Sequence, residues 1–194
     1  ILCNMPCYNS DMFMDCNTNS EYVMQVEDSK LSRVSSFFTK IIKSNKGKIK
    51  MQEFGLVKST NEKAYLFTIE NKNGMSIDLT TLGATLTAIR VPDKNGKTVD
   101  VAQGYTSADK YTDYPVGHAG GTIGPVANKI DYGTFTINGV KYELEKNKDN
   151  GRTHCHGASQ GIDIKNWKYE LTDNGVKFTY VKKDGEGGHP ANVT

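Results

Sequence analysis

From residue 51 onward the apolar side chains of this chain recur at every second position in short runs. They are Tyr65, Phe67, Ile69; Met75, Ile77, Leu79; Phe135, Ile137; Val140, Tyr142, Leu144; Trp167, Tyr169, Leu171; and Val176, Phe178, Tyr180. Successive side chains of an extended strand point to opposite faces, so each run turns one apolar face toward a core. A helix needs a period near 3.6, and no such pattern of useful length appears after residue 51. Asn-Gly pairs punctuate the runs at Asn73-Gly74, Asn95-Gly96, Asn138-Gly139 and Asn174-Gly175. Both residues tolerate the positive φ that a two-residue hairpin turn requires. The expected fold is therefore all-β, a meander of antiparallel strands packed as a β-sandwich.

Charge narrows the partners. The 194 residues carry 24 Lys plus Arg against 22 Asp plus Glu, a net charge of +2. That is too little for a protein whose partner is nucleic acid. No stretch approaches the roughly 18 to 20 consecutive apolar residues of a membrane-spanning helix, so no membrane partner is expected. The balance is uneven along the chain: residues 1–50 hold seven basic and five acidic residues, leaving 17 of each for 51–194. Cys3, Cys7 and Cys16 also cluster early, far from Cys155. Without a fourth ligand or a nearby His they do not complete a tetrahedral zinc set, and no metal is expected. Residues 1–50 lack both a signal-peptide pattern and the acid-poor composition of a transit peptide, so a cytoplasmic location is expected. Within them, Phe37, Phe38, Ile41 and Ile42 at helical spacing in a basic stretch suit either a short amphipathic helix or a solvated linker. The division expected is a leader of unassigned role over 1–50, with Met51 as a plausible start, followed by the folded part over 51–194.

Two stretches break the alternation. Residues 117–124 are rich in glycine but lack the Lys-Ser/Thr of a phosphate-binding loop. Close backbone approach or a bulge explains such glycines better. The second stretch, Asn150-Gly151-Arg152-Thr153-His154-Cys155-His156-Gly157, puts two histidines two residues apart. In a strand both imidazoles share a face, where they serve a metal, a substrate or local backbone groups. His118 and His189 are the other histidines within reach of the argument, and no carboxylate lies close by in sequence.

The order of motifs carries further. Thr122-Ile123-Gly124-Pro125-Val126-Ala127-Asn128-Lys129-Ile130 is followed by the run Gly133 to Asn147, then His154-Cys155-His156-Gly157, Gly161-Ile162-Asp163 to Trp167, and Asp184-Gly185-Glu186-Gly187-Gly188-His189-Pro190. In this order the chain resembles the aldose 1-epimerase (galactose mutarotase) family over essentially all of 51–194. The resemblance implies a large β-sandwich that interconverts the α and β anomers of free hexoses such as galactose and glucose, with no cofactor and no metal. It implies that His156 contacts the sugar and supports the transition state near the ring oxygen, and that Asn128 and Lys129 hydrogen-bond sugar hydroxyls. Asp163 and Trp167 fall at positions read as structural support. The partner implied is a small-molecule aldohexose.

This chain departs from the family pattern in places. Gly124-Pro125 stands where Gly-Arg is usual, and Lys129 replaces the arginine of an Asn-Arg pair, keeping charge but losing the planar fork. His189 and Ala191 stand where an aromatic residue and a glycine are usual. The family's general acid histidine, in a motif like Asn-His-x-Tyr-Phe-Asn, and its general base glutamate have no counterpart before Thr194. The expectation is an amino-terminal half of the sandwich, incomplete at its C-terminal end, with impaired or absent turnover. The competing readings are a carbohydrate-binding module without catalysis, a degenerate remnant, and an epimerase of phosphorylated hexoses. The last calls for more arginines than Arg90 and Arg152 in 51–194.

Overall fold

The computed structural model describes residues 48–113, 118–173 and 175–194. The early cysteines and most of the basic stretch lie outside these residues. The first five strands, β1 (Lys48–Val57), β2 (Glu62–Glu70), β3 (Ser76–Thr80), β4 (Thr85–Pro92) and β5 (Thr98–Asp100), form one antiparallel sheet in chain order. The fold is the expected all-β antiparallel one. Strand β1 begins at Lys48, so it runs across the 50/51 line drawn from the sequence.

Strand β2 is covered on both faces, which accounts for its nearly unbroken apolar run. Ala64 and Leu66 join Phe54, Val57, Leu82 and Ala108 in one cluster, against which Tyr111 packs. Ala108 and Tyr111 come from α1 (Ala108–Asp113), a helix too short for its period to show in the sequence. On the opposite face Phe67 joins Ala84, Ile162, Trp167 and Phe178, with Tyr65, Leu79, Val176 and Tyr180 around them. This second face is covered by the hairpin of β10 (Lys168–Thr172) and β11 (Gly175–Thr179), whose Tyr169 ring meets Tyr65 and Phe67 at 5.7 and 4.9 Å between centroids. Strands β6 (Lys129–Ile130) and β9 (His154–Cys155) form a short antiparallel ladder. Strands β7 (Thr134–Ile137) and β8 (Val140–Glu143) form a separate hairpin.

The Asn-Gly pairs fall at hairpins, but they do not all make the same turn. Among the described residues, the Asn138-Gly139 pair forms the two-residue loop, with φ of 51° and 79° between the paired Ile137 and Val140. Before β3 and β5 the turns are longer and a side chain organises them. Asn71 Oδ1 accepts from the amides of Asn73 and Met75 at 2.9 and 3.1 Å. Asp93 Oδ1 accepts from Asn95 and Lys97 at 2.8 and 2.9 Å. The same chemistry recurs because Asn and Asp mimic a backbone turn with their own carboxamide or carboxylate oxygen. Gly175 is already inside β11, paired with Thr172. Alternation also marked some apolar faces that are not covered: Ile137, Val140 and Leu171 are exposed.

Residues 182–193 close on themselves through a buried lysine. Lys182 Nζ donates to the carbonyls of Lys183, His189 and Ala191 at 3.0, 2.8 and 3.1 Å. Beside it, His189 is buried, stacks on Phe135, and places its Nε2 3.4 Å from Nε2 of His154. Burial, with His154 and Lys182 near, pushes the His189 imidazole down to about 4. The unfolded chain, titrating near 6.5, then holds more protons between those two values, so stability rises with pH across that window. Stability is expected to be full above about pH 6.5 and to fall by up to about 3 kcal/mol as pH drops toward 4. Urea unfolding at pH 7, 5.5 and 4.5 checks this against His189→Phe, which keeps the stack on Phe135 and is expected to flatten the dependence. Equal slopes in both proteins would refute the assignment to His189.

Candidate active site

Three tight backbone contacts build the site. Gly124 lies over Ile162, whose Cδ1 would sit 2.5 Å from a Cβ there, and its carbonyl accepts from the Ile162 amide at 3.3 Å. A Cβ on Gly157 would come within 2.5 Å of the Gly124 carbonyl oxygen. Gly120 passes so close to β4 that its Cβ would lie 2.0 Å from Leu86 O, while its own carbonyl accepts from Leu86 at 2.9 Å. The glycines of this stretch serve close backbone approach.

That packing brings His156 against Asn128. The two residues sit at φ 56° and 66°, the left-handed region, just beyond the β9 and β6 ends. The His156 amide donates to the Asn128 carbonyl at 3.1 Å, and the Asn128 amide donates back to His156 Nδ1 at 3.0 Å. A backbone N–H can only donate, so Nδ1 is the acceptor and the neutral ring carries its hydrogen on Nε2. Burial lowers the pKa of His156, helped by His118 beside it, and so favours that neutral form. Among the described residues no side chain or backbone group bonds Nε2, leaving an N–H donor for a ligand.

His154 does not share that face. Strand β9 ends at Cys155, and the left-handed turn at His156 breaks the alternation that would have aligned the two rings. His154 is fully buried, its Nδ1 2.7 Å from Glu145 O and its ring 5.3 Å from that of His189. The paired-imidazole reading of this spacing is therefore corrected: one histidine satisfies buried groups and the other faces outward.

Lys129 sits in β6 opposite Cys155, and its Nζ contacts both Asp149 oxygens at 2.9 Å. Thr153 Oγ1 also donates to Asp149, and together the two partners hold the Asp149 carboxyl below the usual range. Lys129 must share or leave this pair to reach any ligand. Trp167 is buried, with its Nε1 donating to Ile162 O at 2.8 Å, which is the supporting role expected of it.

Asp163 pairs with a second histidine. Its Oδ2 lies 2.6 Å from His118 Nδ1, and the His118 ring lies 4.7 Å from that of His156. The carboxylate is 6% exposed and the His118 side chain 32%. Room for Asp163 depends on glycines: a Cβ at Gly161 would stand 2.5 Å from Oδ1, and one at Gly83 2.0 Å from the Asp163 carbonyl oxygen. His118 and Asp163 are 45 residues apart, and no spacing rule in the sequence joins them.

An apolar groove of about 310 Å³ is lined by Pro125, Phe135, Ile137 and His189 among others. Among the described residues no group of three or more His, Cys, Asp or Glu side chains is placed to hold a metal ion. No helix of the described residues is long and apolar enough to cross a membrane.

Residues 65–194 match the family model described as aldose 1-epimerase. The chain belongs to the aldose 1-epimerase family. Galactose mutarotase of Sus scrofa is 36% identical over 120 residues, which are 61% of this chain and 34% of that protein. Aldose 1-epimerase of Streptococcus thermophilus is 32% identical over 131 residues, 66% of this chain and 37% of that protein. The crystal structure of an aldose epimerase homologue from C. elegans superposes with a TM-score of 0.60 at 28% identity, covering 66% of this chain and 38% of that one. The fold is shared as well by galactose 1-epimerase of Lactobacillus acidophilus, with a TM-score of 0.58 at 23% identity over 75% of this chain and 42% of that one. The chain thus spans about a third of the length of the aldose 1-epimerase relatives it matches in sequence.

Proposed function

We propose that this chain binds free aldohexoses such as galactose and glucose at the His156–Asn128 corner and catalyses their anomeric interconversion. The observation that carries the reading is the fixed tautomer of His156, which presents Nε2–H from a half-buried ring. Ring opening puts negative charge on the sugar ring oxygen, and an oriented donor at that oxygen stabilises the transition state more than the closed sugar. Asn128 is exposed and adjacent, and Lys129 follows it in β6 with a positive charge available to hydroxyls once it leaves Asp149.

Polarimetry of freshly dissolved α-D-galactose and α-D-glucose with the purified chain tests this. The expected trace relaxes faster than buffer alone. A rate no faster than buffer overturns the catalytic reading. The second reading is sugar binding without turnover; calorimetry showing binding beside an unchanged polarimetric rate would establish it.

A further inference from the structure

We propose that His118, oriented by Asp163, is a second catalytic residue, whose imidazole carries the proton between the anomeric hydroxyl and the ring oxygen of the sugar held at His156. The inference rests on the mutarotase reading given above. A carboxylate can only accept, so the 2.6 Å contact with Asp163 puts the hydrogen of a neutral His118 on Nδ1 and its lone pair on Nε2. His156 has the opposite tautomer, with its lone pair on Nδ1 engaged by Asn128 and its hydrogen on Nε2. Two rings 4.7 Å apart therefore offer one base and one donor. The carboxylate behind His118 is buried while the imidazole reaches solvent, the arrangement in which an acid holds a histidine in one tautomer and stabilises its protonated form.

The step balances without another reactant. Nε2 of His118 takes the proton of the anomeric hydroxyl, and the O–H electron pair becomes the second bond of the new carbonyl. The bond between the anomeric carbon and the ring oxygen breaks, and its pair goes to the ring oxygen. Nε2–H of His156 holds that charge until His118 returns the same proton to the ring oxygen, giving the open aldehyde. Rotation about the adjacent carbon–carbon bond and the reverse sequence close the ring on the other face.

The charged surroundings set the pH dependence. The hydrogen bond to Asp163 raises the His118 pKa, opposed by burial and by Lys148. On the other ring, burial, His118, Lys148 and His154 lower the His156 pKa against the pull of Asp163. Activity that needs neutral His118 therefore falls as pH drops through a pKa raised from the ordinary histidine value.

The test is His118→Gln and Asp163→Asn in the whole 194-residue chain, with glucose binding by calorimetry, mutarotation by polarimetry across pH, and folding by circular dichroism. His118→Gln is expected to bind glucose within about threefold of the parent while turnover drops about 100-fold and the acid limb of the profile disappears. Asp163→Asn is expected to move that limb to lower pH. If Asp163→Asn does not fold, the half-exposed His118→Gln decides alone. Should His118→Gln turn over like the parent while His156→Ala does not, His118 is no catalyst and the sugar-site reading stands. A parent chain with no turnover above buffer overturns both.

Discussion

His156→Ala is expected to lower mutarotation by this chain by about 100-fold or more, the scale on which a single preorganised donor contributes to stabilising an oxyanion. The effect should fall on kcat more than on KM, because in the proposed reaction the bond from Nε2 strengthens as charge develops on the ring oxygen. Stability should hardly move. The His156 ring is only half-buried, and its one hydrogen bond is to the amide of an exposed residue, Asn128, which water can replace. His156→Gln, which keeps an N–H donor on a flexible stem, should retain part of the rate. Polarimetry and thermal melts of the three proteins check this; a rate for His156→Ala within twofold of the parent removes His156 from the chemistry.

The largest expected loss of stability comes from Gly83→Ala. At φ +64° any side chain is strained, and here the added Cβ would stand 2.0 Å from the Asp163 carbonyl oxygen, 2.6 Å from its carbon and 2.7 Å from its Cα. All three are backbone atoms, so no side-chain rotation relieves the clash. Gly83 also donates to Lys165 O at 2.8 Å and accepts from the Thr122 amide at 3.0 Å. Its displacement would loosen the glycine-rich stretch and the Asp163 turn together. Gly74→Ala is the control: its φ is +79°, and nothing lies within 4 Å of its Cβ. Backbone strain alone gives about 1 kcal/mol for Gly74→Ala, while strain plus overpacking gives more than about 3 kcal/mol for Gly83→Ala. Urea unfolding of the two variants makes the comparison. Equal losses would mean that Gly83 has no close neighbour.

Much of the scaffold was legible in the sequence because period-two patterning and turn chemistry act over a few residues. Phe67 in β2 and Phe178 in β11 were identified by alternation and do sit in the core. Asn138-Gly139 makes the hairpin its two residues dictate. Alternation reports which face of a strand is apolar, however, and is silent on whether anything lies on that face. Ile137 and Leu171 satisfy the pattern and are exposed. The apolar run of β2 reads as one-sided until the helix at Ala108 is seen to cover its other face.

The site divides in the same way. Asn128, Lys129 and His156 were reached through the order of motifs, which also led to the family. That His156 points outward while His154 is buried depends on one backbone angle, φ 56° at His156, which a two-residue spacing does not encode. The ion pair that engages Lys129 comes from Asp149, 20 residues away. The chain's sequence by itself determined an all-β antiparallel fold, the positions of its hairpins and its place among the aldose 1-epimerases, because each rests on local periodicity or on residue order. Only the tertiary structure decided which nitrogen of His156 is free, and that His118 and Asp163 stand beside it. Hydrogen bonds and ring contacts depend on how distant backbone segments pack, and here glycines set that packing by letting the chain pass within a single Cβ of itself.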